Sequence, residues 1–358
     1  MDFDRRTLFR AGLLTGVFAM TGGCAKAGSP PKRHGDAAWP GFKAAYFQPD
    51  GRIVDTGNGG ISHSEGQGYA LLLAEAGDDR AAFDRIHQWT EQMLARHDVA
   101  LFSWRYDPRQ AVPVSDPNNA TDGDILIAYA LAQGGLSWSD PALTEQATAM
   151  VRTIGLTMLA SAGPHTVILP GEYGFSVAER DDGPIVNPSY WVYEALPLFA
   201  TLTPEIDWRA VAASGLDLLA PMSATRAGLP SDWMALAKGQ PEPAEGFPPE
   251  FGYNSIRIPL YLMRANADAT YLKLFAAMGD KDGLARIDVT TGIAQERLSE
   301  PGYRLIQAAL DCTLSGTAIP ADLQTMTAST YYAATLQLLL LDHLRRNQSA
   351  CLSTEVPL

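Results

Sequence analysis

The chain has 358 residues, of which 46% are hydrophobic, so it can bury a large core as one large domain or two ordinary ones. Its formal net charge is −13 and no basic cluster interrupts it, which argues against nucleic acid as a partner. A neutral or cationic ligand suits this charge better than a polyanion, and carbohydrate meets that condition.

The first predicted element is an export signal. Arg5-Arg6 precede Leu8-Phe9 and an apolar run that ends in small residues, a pattern typical of twin-arginine signals in bacterial proteins. The run is shorter than the roughly 20 residues that span a bilayer. We therefore expect a signal over residues 1–27, a linker over 28–37 and an exported protein, periplasmic or secreted. Lipid attachment at Cys24 is the alternative to simple cleavage.

Cysteine usage leaves one question open. Export implies an oxidising compartment, in which Cys312 and Cys351 can pair as a disulfide or remain two separate buried thiols. Two cysteines give no metal-binding spacing, and neither a CxxC nor an HxxxH motif occurs. We expect neither a metal nor another cofactor.

Helical patterns dominate the remainder of the chain, and no long polar linker divides it. We therefore predict one domain over 38–347 and a tail over 348–358. Nearly all-apolar helices alternate with amphipathic ones, which indicates an all-α fold of buried inner and amphipathic outer helices, a closed (α/α) barrel. The predicted inner helices lie at 64–76, 121–132, 187–200, 252–265 and 327–344, and the outer ones at 79–94, 140–160, 205–220 and 268–278. A small β-hairpin is predicted at 165–177 and a loop at 236–254.

Two inner helices begin in the same way, each with an acid that needs an explanation. Ser64 and Gln67 fit a capping box, as do Thr121 and Asp124. Neither box uses Glu65 or Asp122. Inner helices of such a barrel run parallel, so we expect Glu65, Asp122, Asn187 and Asn254 to meet in one cleft. Two converging acids are the arrangement that glycoside hydrolysis uses.

Aromatic side chains cluster around the same helix starts and are candidates for stacking on sugar rings: Trp104, Tyr106, Tyr190, Trp191, Trp233 and Tyr253. The alternative for each of them is a place in the core. Arg257 is a charged residue in an apolar segment, and it either pairs with a cleft acid or extends to solvent. Its apolar surroundings favour pairing.

The segment Ala120–Ala132, ATDGDILIAYALA, resembles the signature of glycoside hydrolase family 8. SEGQGYALLLA resembles the family segment that carries the proton donor, which implies that role for Glu65. NPSYWVYEAL and PSDW are similar to segments of family members found with bacterial cellulose-synthesis systems. The resemblance runs from about residue 38 to 345 and implies an (α/α)₆ barrel and hydrolysis of β-1,4-glucan with inversion. It also implies that Asp122 holds and distorts the sugar and that Tyr190 lines the cleft. Asp124 is expected to cap its helix, with a secondary role in the cleft.

One position departs from the family pattern. Where family cellulases carry an aspartate as general base, the stretch GYNSIR has Asn254, and an amide cannot accept a proton from water. Asp232, Glu245 and Glu250 lie in nearby segments and are candidates for the base.

Three functions stay open at this point. The first is an endo-β-1,4-glucanase that acts on a cellulose chain and works with the cellulose synthase export machinery. The second is a weak or inactive glucan-binding component of cellulose assembly, which the presence of Asn254 would explain. The third is a chitosanase or xylanase of the same family.

Overall fold

The structure is a computed structural model that describes residues 38–237 and 240–352. The predicted signal, the linker and Cys24 lie outside the described residues, as does the tail beyond residue 352. Within the described ranges, no helix is long and apolar enough to cross a membrane.

Eleven α-helices occur in the described part of the chain. They are α1 Ala38–Tyr46, α2 Ser64–Ala76, α3 Arg80–Leu94, α4 Thr121–Ser137, α5 Pro141–Thr157, α6 Leu196–Leu202, α7 Trp208–Met222, α8 Arg257–Arg264, α9 Ala269–Leu272, α10 Pro301–Ser315 and α11 Tyr331–Asn347. A 3-10 turn at Pro188–Tyr190 precedes α6.

Helix burial separates an inner from an outer layer. α2, α4, α8 and most of α11 are buried on nearly every face, whereas α3, α5 and α7 each bury one face. α2 packs against α4 and α11, α11 against α8, and α8 against the 3-10 turn that also contacts α4. These contacts close a ring, and α3 and α5 pack outside α2 and α4. The predicted (α/α)₆ barrel is confirmed.

Short strands connect the helices: β1 Ser62–His63, β2 Arg105–Tyr106, β3 Leu159–Ala162, β4 His165–Ile168, β5 Ile185–Val186, β6 Met234–Ala235, β7 Glu242–Pro243, β8 Glu250–Phe251, β9 Gly279–Asp280, β10 Gly283–Asp288 and β11 Ile293–Leu298. All pairings are antiparallel. The hairpin expected at 165–177 is formed instead by β3 and β4, so its second strand precedes residue 169. The larger hairpin of β10 and β11 was not predicted.

The predicted inner helix at 187–200 is broken. Its sequence forms the 3-10 turn, an irregular stretch and then α6, because Pro188 and Pro197 cannot donate the backbone hydrogen bonds of a continuous helix. This break leaves Ser189 and Tyr190 on a short turn that faces the starts of α2 and α4.

The open question about the cysteines is answered by the fold. Cys312 on α10 and Cys351 in the C-terminal 3-10 turn form a disulfide, with their Cα atoms 5.9 Å apart. The bond ties the end of the described chain to α10.

Candidate active site

Glu65 lies in the first turn of α2, immediately after β1. The residue at the N-cap is His63, whose side chain makes no capping hydrogen bond. Gln67 accepts a hydrogen bond from the backbone N–H of Ile53 at 2.8 Å and donates one to Thr90 Oγ1 at 3.0 Å. The capping box predicted here was therefore wrong, because Gln67 is used to attach α2 to its neighbours.

The start of α4 shows the same departure. Thr121 Oγ1 donates to the carbonyl of Leu169 at 2.7 Å, and the N-cap residue Ala120 offers no side-chain cap. Asp124 is fully buried and accepts hydrogen bonds from Phe102 N–H and Asn119 Nδ2, each at 2.9 Å. The second predicted capping box was also wrong. The structure places Asp124 behind the helix start, away from the cavity, where it anchors the segments that precede α4.

Two glycines allow α2 and α4 to touch. A Cβ atom at Gly123 would lie 2.1 Å from Ser64 Oγ, and one at Gly68 would lie 2.6 Å from the Cβ of Leu126. No larger residue fits at either position without moving one helix. This close approach brings Glu65 and Asp122 to one place.

Arg257 joins the two acids. Its guanidinium is 1% exposed and donates to Glu65, to Asp122 Oδ2 at 2.9 Å, to Ser189 Oγ at 2.8 Å and to Asn254 Oδ1 at 2.8 Å. A buried arginine needs such partners, because an unpaired buried charge is costly. The expectation that Arg257 pairs with a cleft acid is confirmed. Asn187, also expected at this face, orients Ser189 by accepting from its N–H and hydroxyl.

Electrostatics distinguish Asp122 from an ordinary surface acid. Burial raises the pKa of Asp122 to about 6, the Arg257 charge lowers it, and the nearby Glu65 raises it. Tyr190 is hydrogen-bonded to Asp122, and burial raises the pKa of its phenol well above the ordinary value. The Tyr190 ring also lies 5.8 Å from the Arg257 guanidinium. Asp122 is thus enclosed by partners, whereas Glu65 remains 22% exposed.

Asn254 is held in a fixed orientation. Its Oδ1 accepts from Arg257, and its Nδ2 donates to Asp232 Oδ2 at 3.2 Å. Asp232 is 4% exposed and also accepts from the backbone N–H groups of Gly252, Asn254 and Ser255. Its carboxylate therefore stabilises the turn before α8 and has little surface left for a water molecule.

The other two candidate bases lie elsewhere. Glu250 accepts from Arg286 at 3.1 Å, and burial raises the pKa of its carboxyl. Glu245 is exposed on a loop, where its backbone N–H donates to Asp182 and its carbonyl accepts from Arg180. Neither residue lines the cavity beside Glu65.

That cavity has a volume of about 430 Å³. Sequence reasoning had singled out four of its lining residues, Glu65, Tyr253, Asn254 and Arg257, but had missed the others, which are Asp55, Gly57, Asn58, Glu300, Tyr303, Thr330 and Tyr332. Tyr253 is 41% exposed, and its ring lies 6.3 Å from each of the rings of Tyr303 and Tyr332. The pair YY at 331–332 opens an apolar helix, and that position was the available signal for Tyr332.

The remaining aromatic candidates take different places. Trp104 stacks with His63 beside the start of α2 at 6.1 Å and donates from Nε1 to Asp116. The Tyr106 ring contacts Trp89 edge-on at 5.2 Å.

Two tryptophans are engaged within the protein. Trp191 is 1% exposed and donates to the carbonyl of Val211, so it belongs to the core and not to the cleft. Trp233 stacks with Phe175 at 5.6 Å and with Phe247 at 4.7 Å, so its ring faces are occupied by protein. Within the described ranges, no group of three or more His, Cys, Asp or Glu side chains is placed to hold a metal ion.

Comparison with known proteins identifies the group to which this chain belongs. The family described as glycosyl hydrolases family 8 matches residues 2–345. A probable endoglucanase of Novacetimonas hansenii is 39% identical over 312 residues, which are 84% of this chain and 88% of that protein. An endoglucanase of Cellulomonas uda is 42% identical over 233 residues, 65% of this chain and 64% of that protein, so the match spans slightly less than two thirds of this relative.

Solved structures give the same result. The family 8 endoglucanase from Klebsiella pneumoniae superposes with a TM-score of 0.79 at 36% identity, covering 87% of this chain and 100% of that one. The endo-β-1,4-glucanase from Acetobacter xylinum does so with a TM-score of 0.76 at 36% identity, covering 86% of this chain and 96% of that one. With the barrel, the paired acids and the buried arginine already described, these matches show that the chain belongs to glycosyl hydrolase family 8.

Proposed function

We propose that this protein is an endo-acting β-1,4-glucanase that cleaves cellulose chains with inversion at the anomeric carbon. The observation that carries the proposal is Glu65 on the wall of an open cavity, held by Arg257, which also binds the buried Asp122. The Novacetimonas protein named above is described as a probable endoglucanase, the Klebsiella protein as an endoglucanase and the Acetobacter protein as an endo-β-1,4-glucanase.

Glu65 is the proposed proton donor. With both acids ionised, Glu65, Asp122 and Arg257 carry a net charge of −1, and one proton makes the cluster neutral. Burial raises the pKa of Asp122 to about 6, so the cluster can hold a proton at a pH where an exposed carboxyl has lost it. Glu65 is the member that faces the cavity, so it is the one able to pass this proton to the leaving glycosidic oxygen.

Asp122 and the tyrosines are proposed to hold the sugar. The family resemblance implies that Asp122 holds and distorts the ring at the cleavage point. Asp122 shares Arg257 with Glu65 but is itself buried and does not line the cavity, so a local movement is needed for it to reach the sugar. Tyr253, Tyr303 and Tyr332 form an aromatic wall in the same cavity. Sugar rings have apolar faces that pack against such side chains.

The proposed location of the enzyme is outside the cytoplasm. The Arg5-Arg6 pattern supports export to the periplasm or the medium, and Cys24 is the proposed lipid site if the signal is not simply cleaved. In that compartment the enzyme would meet cellulose chains as the cellulose synthase export machinery releases them.

A substrate panel tests the activity. Purified protein is incubated with carboxymethylcellulose, xylan and chitosan, while viscosity and reducing ends are followed. An endo-β-1,4-glucanase lowers the viscosity of carboxymethylcellulose early, while few reducing ends have formed, and NMR of cleaved cellohexaose shows the α-anomer first. Cleavage of only xylan or only chitosan would show that this polymer, and not cellulose, is the substrate. Binding of carboxymethylcellulose without any cleavage would make the protein a glucan-binding component.

A further inference from the structure

Inverting hydrolysis needs a second group, one that takes a proton from the attacking water. An asparagine occupies the position where family cellulases carry this base, and Asn254 has its amide held by Arg257 and Asp232. If the proposed function holds, on which this inference rests, another carboxylate must reach the water beside the sugar that Glu65 protonates.

Geometry eliminates most of the acids near Glu65. Asp122 is 3% exposed and bound by Arg257, and Asp232 accepts hydrogen bonds from the turn that precedes α8. Glu300 does line the cavity, but one oxygen accepts from Thr330 N–H at 2.7 Å and both accept from its hydroxyl at 2.9 Å. These carboxylates are already used for binding within the protein.

Asp55 is different. It lines the same cavity as Glu65 and belongs to the extended segment that pairs with Ile61 and leads into α2. Its Oδ1 accepts from the N–H of Gly57 at 2.9 Å, whereas its Oδ2 accepts no hydrogen bond from any residue that the structure describes. The side chain is 15% exposed. We infer that Asp55 is the general base of this enzyme.

The groups around Asp55 suit this role. His63 Nδ1 lies 3.9 Å from Asp55 Oδ2, and burial lowers the pKa of this histidine, so the imidazole is neutral at pH 7. The phenols of Tyr303 and Tyr331 also lie within electrostatic reach, and burial raises the pKa of each, so they too are neutral. Among the described residues, no lysine or arginine forms an ion pair with Asp55 that would weaken it as a proton acceptor.

Asp55 and Glu65 line the same cavity. The charge of each raises the pKa of the buried Tyr331, so both carboxylates lie near that phenol. No hydrogen bond between described residues joins them. The role of Asp55 requires its carboxyl to lie roughly 6.5–9.5 Å from that of Glu65, the separation with which inverting enzymes admit the attacking water.

The inverting step moves one proton from water to Asp55 and one from Glu65 to the leaving oxygen. The water oxygen forms a bond to the anomeric carbon while one water proton passes to Asp55 Oδ2. The bond from the anomeric carbon to the leaving oxygen breaks, and that oxygen keeps the electron pair and takes the proton from Glu65. The product is an α-hemiacetal, after which Asp55 loses its proton to solvent and Glu65 regains one.

Azide distinguishes a lost base from a lost fold. Asp55→Asn and Asp55→Ala are compared with wild type on cellopentaose, and Asp50→Asn, the same change at an exposed position of the preceding turn, is the control. We expect kcat to fall by roughly 10²–10⁴-fold in the Asp55 variants and to stay unchanged in the control. Sodium azide should restore turnover of Asp55→Ala and give an α-glycosyl azide, because azide attacks without needing a base.

The outcomes separate this inference from the proposed function. An inactive wild type would contradict the glucanase activity itself. An active wild type with an unchanged kcat in Asp55→Asn, or a loss of kcat without azide product, would overturn the role of Asp55. If these variants do not fold, Asp55→Glu keeps the charge and moves it by one methylene. A lower kcat at unchanged KM then supports the role, and a wild-type kcat overturns it.

Discussion

Replacing Arg257 by methionine removes the positive charge that Glu65 and Asp122 share. Taking one partner out of a buried ion pair costs about 3–5 kcal/mol, because the remaining charges stay buried without compensation. At about 2 °C per kcal/mol for a protein of this size, the melting temperature should fall by roughly 6–10 °C. The two acids lose their common anchor, and misplacing a catalytic group by about 1 Å can cost roughly 100-fold in rate. We therefore expect kcat on carboxymethylcellulose to fall at least that far.

The chain provides a matched control in Arg264, at the other end of α8. Arg264 is also buried and pairs with Glu194 and Asp342, but it does not line the cavity. Arg264→Met should lose a similar amount of stability while kcat, measured well below the melting temperature, stays near wild type. Scanning calorimetry and reducing-end release on both variants give the comparison. Equal losses of activity in the two variants, or a wild-type kcat in Arg257→Met, would show that Arg257 does not position the two acids for catalysis.

Three further predictions concern stability. Burial raises the pKa of Asp124 from 3.8 to about 7, so the folded state binds more protons than the unfolded state between these values, and stability falls as pH rises through that window. Relative to Asp124→Asn, which does not titrate, wild type should lose roughly 4 kcal/mol between pH 4 and pH 8 in urea titrations; a difference independent of pH would contradict this. Gly123→Ala places a methyl group 2.1 Å from the hydroxyl of Ser64, which begins α2. We therefore expect about 1–3 kcal/mol of destabilisation and a reduced kcat. Gly41→Ala is the control, because the added methyl lies 3.6 Å from its nearest neighbour, and its stability and kcat should equal those of wild type. The double variant Cys312→Ser/Cys351→Ser opens a loop of 39 residues and should lower stability by roughly 4 kcal/mol, and a melting temperature equal to that of wild type would argue against the disulfide.

The sequence was most informative where a residue type is stable in only one kind of environment, as a run of apolar residues is in the core. The apolar runs around α2 and α4 required burial on every face, and that requirement predicted the barrel. Arg257 in an apolar segment required an anionic partner, and Glu65 and Asp122 were the acids that the same face offered. The central contacts of the site followed from burial and charge alone.

Polar residues at helix starts were harder to interpret. Ser64 with Gln67 and Thr121 with Asp124 fit local capping boxes, yet the structure uses Gln67, Thr121 and Asp124 for bonds to distant segments. A pattern of four residues cannot distinguish a local hydrogen bond from a tertiary one, since both satisfy the same groups.

Several residues that line the cavity were missed. Asp55 belongs to an irregular segment without a periodic pattern, and Tyr303 lies on α10, a helix that the sequence reasoning did not predict. The direction of a side chain was equally hard to predict. Trp191 and Tyr190 are adjacent, but Trp191 donates to the carbonyl of Val211 in the core while Tyr190 faces Asp122, and the 3-10 turn ends between them.

The rate of cellohexaose cleavage by wild type and Glu65→Gln tests whether Glu65 is the proton donor, with Glu145→Gln, an exposed change on α5, as the control. We predict that wild type and the control cleave at the same rate, and that Glu65→Gln is slower by roughly 10²–10⁴-fold while still binding the oligosaccharide. A Glu65→Gln variant that cleaves at the wild-type rate would show that the proton comes from another group, and the assignment of this site would be wrong.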